Sequence, residues 1–414
     1  MTSTNDLDPR DAWPKDFDGK GLYNAVVAGH GTGFRINIHQ MISWIEMELS
    51  CKVVDIPMGF QLKLSDARMI LMRVGRYNSL HPHAKETFLH STIREVQFEA
   101  AVHDLLMSDP NIPVSPLLLY RLPVGKVMGI DVDPERLDEG RQVMVFELTD
   151  GRPNVWDELD PMAKKTLITQ LATVRVALFQ RHLPIDFVSQ WLHSRWPIPH
   201  LCPNPPSPTR AFTLALLTAK IESMIGKEGD PIGVDWKESE FVVGPKASAA
   251  KQSLLRIIPL ILPHEDEKYA FYRFVLEHSD FGVHNMSIAL TSGQPHITSV
   301  FDWETGHIVP AILSDPESVL LPVDLNIDSD GEAMISRIYE DADDEELAEI
   351  TEWGDVYLNT ISDVAPEYIT AIRSGKDSRY LWTKLKGWRG DDPEGFFGEL
   401  GFWAEQRMME LSLV

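Results

Sequence analysis

Eight residues from His278 to Asn285 (HSDFGVHN), and a second run from Ile297 to Glu304 (ITSVFDWE), hold the side chains best suited to chemistry. Asp280, Asn285 and Asp302 set three hard oxygen donors on two short loops. A carboxylate so placed can accept a proton from a hydroxyl. An amide oxygen and a second carboxylate can hold Mg²⁺ against nucleotide phosphates. Phosphoryl transfer asks for that set, because its catalysis is mostly positioning and charge neutralisation. Met286–Leu290 and His296–Phe301 read as short strands, with turn residues Thr291 to Gln294 between them. The hairpin they predict brings the loop before it and the loop after it to one end, so that Asp280 and Asn285 come to face Asp302. Taken singly, the same residues are a polar loop and a solvated hairpin tip. The ordered trio is what points to a site.

In this order the residues resemble the aminoglycoside phosphotransferase-like kinases, above all their divergent fungal branch. Those proteins carry an H-G-D-x-x-x-x-N loop and a following D-W-E segment. His278, Asp280, Asn285, Asp302, Trp303 and Glu304 match it, with Ser279 in place of the glycine. The resemblance implies an α+β, two-lobed protein-kinase-like fold, with a small antiparallel-sheet N-lobe carrying one packed helix and a larger helical C-lobe. It implies Asp280 as catalytic base, His278 as the residue ordering its loop, Asn285 and Asp302 as metal ligands, and ATP and Mg²⁺ as cofactors bound in a cleft between the lobes.

Matches of lower specificity extend the resemblance from Cys51 to Ala311. Pro57 to Gln61 (PMGFQ) resembles the phosphate loop and contributes Gly59 and Phe60. Ile70 to Val74 (ILMRV) resembles an Arg-bearing third strand, with Arg73 toward the phosphates. Ile112 to Pro116 resembles a family I-P-V-P segment. Met144 to Pro153 resembles the hinge, where the backbone of Glu147 and Leu148 would meet the adenine edge.

Each of these positions also has a plainer reading. An Arg fork can bind phosphate in place of a kinase Lys, yet Arg73 can equally be a strand residue whose head reaches water. Glu95 can fix that cation, or can complete a capping box with Thr92; Glu99, one turn later, is the alternative partner. Phe60 can be core, and Glu147–Leu148 an ordinary strand end before the Asp150–Gly151 turn. A lone Gly59 brings fewer backbone N–H groups close to phosphates than a glycine-rich loop does. Two functions of different class therefore stand: an ATP- and Mg²⁺-dependent phosphotransferase acting on a small-molecule hydroxyl, and a catalytically weak pseudokinase serving as a binding or scaffold protein.

The elements that must position these residues follow from pattern. Of 414 residues, 1–33 read as an N-terminal extension, 34–150 as the nucleotide-binding N-lobe and 151–414 as the helical C-lobe. Ile38, Met41, Ile42, Ile45 and Leu49 recur at helical spacing. Short β-runs follow at 52–56, 60–64 and 69–74, a helix at Thr92–Met107 and another strand at Gln142–Leu148. Asp160–Pro161 starts a strong helix bearing Leu167, Leu171, Val174 and Leu178. Residues 196–208 hold six of the 28 prolines and form no regular element. Further helices are expected at Thr209–Ile225, Ala247–Leu262 and Glu265–Leu276.

Composition narrows the partners. A net charge of −24 argues against nucleic acid, whose backbone is bound by basic surfaces. Acids from Asp328 to Glu346 either attract an amine-bearing, cationic acceptor or form a solvated face. Two cysteines offer no disulfide framework, no leader-like segment is visible and no apolar run spans a bilayer, so the expectation is a cytoplasmic protein without membrane contact. Gly29, Gly31 and Gly33 imitate a dinucleotide-binding loop, but Phe34 stands where its third glycine belongs. H-E-x-x-H and G-x-S-x-G patterns are absent.

Overall fold

The computed structural model describes residues 38–58, 60–75, 86–123, 141–192, 205–232, 240–265, 270–338 and 342–412. Gly59, the 29–33 glycine segment, and 196–204 of the Pro-rich stretch lie outside them. The chain divides into two compact units. The first runs to Arg152 and also takes Met286–Ala289 and Ile297–Glu304; the second takes Pro153–Asn285, Leu290–His296 and Thr305–Val414.

The first unit is built on a five-stranded antiparallel sheet of β1 (Val53–Met58), β2 (Gln61–Leu64), β3 (Met69–Val74), β4 (Leu117–Arg121) and β5 (Val143–Glu147). Its order is β1-β2-β3-β5-β4. Strand alternation decides what each face carries. Ile70 and Met72 of β3, with Val143 and Val145 of β5, turn to one side and pack against Met41, Ile42 and Ile45 of helix α1 (Ile38–Leu49). Fully burying such side chains is worth about 1.5–3 kcal/mol each. Met144 and Phe146 turn to the other side and meet Val96 of helix α2 (Glu86–Leu106). The sheet therefore has a helix on each face. Helix α2 begins at Glu86, so Thr92 is a buried mid-helix residue and the expected capping box does not form.

The second unit is mainly helical, with α3 (Pro161–Gln180), α4 (Ile185–Trp191), α5 (Arg210–Met224), α6 (Glu240–Ile261), α7 (Asp344–Val364), α8 (Pro366–Ser374), α9 (Lys376–Gly387) and α10 (Pro393–Ser412). The Asp160 side chain caps α3 by accepting from the Ala163 amide at 2.8 Å. Thr209 caps α5 in the same way through the Phe212 amide. One expectation fails here. Instead of a helix through Leu276, the chain turns at 271–273 and forms β6 (Phe274–Glu277), antiparallel to β9 (His307–Pro310). All four residues of each strand are buried, and a short run buried on both faces carries no period to distinguish strand from helix.

Between β6 and β9 lies the expected hairpin, β7 (Met286–Thr291) with β8 (Gln294–Val300). Its two-residue turn puts Ser292 and Gly293 at φ 53° and 80°, the left-handed pair that tight hairpins require. A small sheet, β10 (Ser318–Val319), β11 (Asp324–Ile327) and β12 (Ala333–Ser336), follows. Among the described residues no helix is long and apolar enough to cross a membrane.

Candidate active site

Arg73 lies on the β3 face that turns toward α2, paired in register with Met144. Its guanidinium donates to the Glu99 carboxylate, and a second nitrogen reaches Asp302 Oδ1 at 3.3 Å, with Glu304 at 4.0 Å. The cation also rests against Met144 Sδ at 3.3 Å and over the Phe146 ring. The partner expected at Glu95 is therefore Glu99, whose residue is 1% exposed; Glu95 instead accepts from Ser91 Oγ at 2.8 Å. Helical spacing explains the choice. Glu99 falls in the apolar stripe of Val96, His103 and Leu106, whereas Glu95 is half-buried off it. Burial opposes the Arg73 charge, but Glu99, Glu304 and Asp302 outweigh it and hold the guanidinium above its ordinary range. Burial pushes the Glu99 carboxyl up by more than Arg73 draws it down.

Asp302 and Glu304 flank Trp303, which is fully buried and donates from its indole to the Val300 carbonyl at 3.1 Å. That anchor leaves the two carboxylates at the surface of the turn. Asp302 itself sits at φ 68°, a left-handed conformation that a non-glycine residue holds only where its surroundings impose it.

In the second unit, β6 delivers the chain into the 278–285 loop. His278 is buried, and its Nδ1 accepts the Asp280 amide at 3.3 Å. Ser279, standing where the resembled loop has glycine, donates its hydroxyl to the Thr305 carbonyl at 2.7 Å and lies 2.9 Å from His307 Nδ1. Asn285 uses its carboxamide nitrogen twice, on the Asp280 carbonyl at 2.8 Å and on Asp280 Oδ2 at 3.2 Å. His284 Nε2 is 3.0 Å from the same Oδ2. Asp280 thus has one oxygen occupied, while Oδ1 meets no partner among the described residues and the side chain is 55% exposed. A polar cavity of about 60 Å³ opens beside this loop, lined in part by Arg175, Glu277, His278, Asp280, Asp315 and Lys386.

The remaining expected residues take different places. Phe60 packs into the sheet core, and its carbonyl accepts the Met72 amide. The Glu147 amide donates to the Pro116 carbonyl and the Leu148 amide to the Met69 carbonyl, both at 2.9 Å. Neither N–H is left for an adenine edge. Much of the acidic segment has local work: Asp343 and Glu346 form a capping box on α7, Asp328 accepts from the Asp330 and Glu332 amides, and Asp330 pairs with Lys376 at 3.2 Å. Three contributors escaped the sequence reading as leading candidates: Glu99, His284 and Arg175. Glu99 and Arg175 share a signal, a charge set within an apolar helical stripe. His284 carried none beyond standing four residues after Asp280.

No family model matches the sequence, and no curated protein matches it. Solved structures align along most of its length. A putative aminoglycoside phosphotransferase from Ralstonia eutropha JMP134 aligns over 90% of this chain and 99% of its own, with 12% identity and a TM-score of 0.40. The streptomycin–ATP–APH(2")-IIa ternary complex aligns over 90% and 95%, with 11% identity and a TM-score of 0.38. Amicoumacin kinase hAmiN in complex with AMP-PNP, Ca²⁺ and Ami aligns over 90% and 94%, with 12% identity and a TM-score of 0.33. Likeness of this degree assigns no role to any residue here.

Proposed function

We propose that the protein is a cytosolic phosphotransferase that moves the γ-phosphoryl group of ATP to a hydroxyl of a small molecule. The observation that carries this reading is the Asp280 loop: a carboxylate with one oxygen held by Asn285 and His284 and the other open. That open oxygen accepts the acceptor's proton as its oxygen bonds to phosphorus. The bond from phosphorus to the β–γ bridging oxygen breaks, and ADP leaves. Arg73, fixed by Glu99, would supply positive charge for the phosphate oxygens. His278 and Ser279 hold the loop on which Asp280 stands.

Each proposed donor is by itself chemically suited to Mg²⁺. Asp302 and the Asn285 carboxamide oxygen are hard ligands, and Glu99 Oε1 is a buried oxygen without a hydrogen-bond partner near the Arg73 cluster. Among the described residues no three His, Cys, Asp or Glu side chains converge on one point, so any Mg²⁺ there would take the rest of its shell from phosphates and water. When bound, Mg²⁺ neutralises charge on the transferring phosphoryl group.

A specific observation favours a second reading, a catalytically weak pseudokinase serving as a binding or scaffold protein: the amides of Glu147 and Leu148 are both hydrogen-bonded to other backbone carbonyls. Thermal shift with ATP, with Mg²⁺ and with both separates the two, since a ligand at 100 times its Kd adds roughly 2.7 kcal/mol. The phosphotransferase reading expects ATP and Mg²⁺ together to stabilise more than their separate effects summed, and Asp302→Ala to remove the excess. Absence of any shift with ATP and Mg²⁺ would hand the protein to the scaffold reading.

A further inference from the structure

Arg175 is the most deeply buried cation near the Asp280 loop. It lies in the middle of α3 and is 3% exposed. Its guanidinium reaches three separate pieces of chain. Nη1 lies 3.4 Å from Glu277 Oε2, three residues before Asp280. Nη2 donates to the backbone carbonyl of Glu317. The planar head stacks 4.2 Å from the ring centroid of Phe281, the residue after Asp280. The one cation therefore holds chain on both sides of the proposed base.

Each of those pieces is fixed again from behind. Glu277 accepts from Ser314 Oγ, which lies 2.9 Å from the Tyr368 hydroxyl of α8. Tyr357 of α7 donates to the Pro316 carbonyl at 2.6 Å and lies 2.8 Å from Ser318 Oγ. The Val319 amide donates to the Phe281 carbonyl at 2.9 Å. Gly282 approaches Val319 so closely that an added Cβ would stand 2.5 Å from the Val319 carbonyl oxygen. The segment 314–319 is thereby clasped between the Asp280 loop and helices α7 and α8.

A buried ion pair is a poor stability device, because desolvation offsets most of its attraction and apolar replacements often fold as well. What it supplies here is geometry. Only a flat fork can bond a carboxylate and a carbonyl while stacking on a ring, and a lysine at the same place cannot. We infer that Arg175 is a positioning residue for Asp280: with Glu277, Ser314 and Tyr368 it clamps the loop so that the open carboxylate oxygen keeps one place. This rests on the reading of Asp280 as the proton acceptor. Misplacing a reacting group by about 1 Å can cost on the order of 10²-fold in rate.

The test uses the full chain in two variants. Arg175→Met alone strands a buried Glu277 carboxylate and can fail to fold, so it is combined with Glu277→Gln. Arg175→Lys keeps the charge and removes the fork. Both are compared with the wild type in melting temperature, ATP affinity, phosphate release from ATP with and without an acceptor panel, and hydrogen exchange at the Asn285 and Val319 amides. The clamp predicts near-wild-type melting and an ATP Kd within about twofold, with exchange at those two amides faster by tenfold or more and kcat lower by about 10²-fold. Wild-type exchange in both variants, or faster exchange with wild-type kcat, overturns it. If the wild type transfers phosphate to nothing, water included, the phosphotransferase reading falls by itself, and exchange alone then decides whether Arg175 holds the loop.

Discussion

Arg73→Met should destabilise the first unit far more than Glu99→Gln, although both break the same ion pair. Without Arg73, the Glu99 carboxylate stays in a site where its residue is 1% exposed and Oε1 already lacks a partner. Stranding a buried charge costs about 3–5 kcal/mol; the partial exposure of Arg73 places the expected cost near the lower end, about 3 kcal/mol. Removing the Glu99 charge instead leaves a guanidinium that is 29% exposed and still reaches Asp302 at 3.3 Å and Glu304 at 4.0 Å. That loss should be about 1–2 kcal/mol. The pH dependence follows from the direction of the Glu99 shift. Burial raises its carboxyl and Arg73 opposes the rise, so Arg73→Met raises it further. A carboxyl whose folded value lies above its unfolded one destabilises the fold at high pH. That penalty disappears as pH falls through the folded value toward the unfolded one, near 4.5. Calorimetric melting should show Arg73→Met about 10 °C below the wild type at pH 8 and much closer to it at pH 5. A gap of less than about 2 °C at pH 8, or one that does not change with pH, would refute the claim that Arg73 favours the ionised form of Glu99.

Three further outcomes follow from the same structure. Burial lowers the His103 imidazole to about 4 from an ordinary 6.5, so its neutral form stabilises the fold fully above 6.5 and less as pH falls toward 4; relative to His103→Gln, the wild type should lose up to roughly 3 kcal/mol across that window in urea titrations. Asp343→Ala removes the acceptor for two amides at the start of α7 and should cost about 1 kcal/mol, read as a lower melting temperature, with ATP affinity unchanged. Neutralising Asp330 and Glu332 together breaks surface pairs with Lys376 and Arg373 and should change stability by less than about 1 kcal/mol; a higher KM for a cationic acceptor would show that these acids recruit substrate.

How far the sequence could be read depended on how local each cause was. The β3 and β5 runs alternate in type, and alternation alone sent Arg73 and Met144 to one face and Met72 and Val145 to the other. The Ser292–Gly293 turn announced its hairpin, and Asp160–Pro161 announced α3, because caps and turns are made of the residues that name them. Glu99 was legible only as an alternative, since a helix start proposed at Thr92 made Glu95 look like both cap and partner; the true start lies at Glu86. The strand at Phe274–Glu277 was hidden because it is buried on both faces. Arg175 was hidden for a different reason. Its partners, Glu277, Phe281 and Glu317, lie 102 to 142 residues away, and no periodicity reports a contact of that range. Ser279 shows how a departure from a resembled motif can be read only in three dimensions, where its hydroxyl bonds the Thr305 carbonyl.

The proposed phosphotransferase chemistry turns on Asp280 accepting a proton during phosphoryl transfer. The most direct measurement is ATP turnover by the wild type and Asp280→Asn, with saturating Mg²⁺ and an unbiased panel of hydroxyl-bearing metabolites, alongside ATP affinity for both proteins. With Asp280 as proton acceptor, the wild type should phosphorylate at least one acceptor, and the variant should bind ATP within about twofold while turning over slower by on the order of 10²-fold or more. Equal turnover by the two proteins, or saturable ATP binding with no transfer by the wild type, would contradict it.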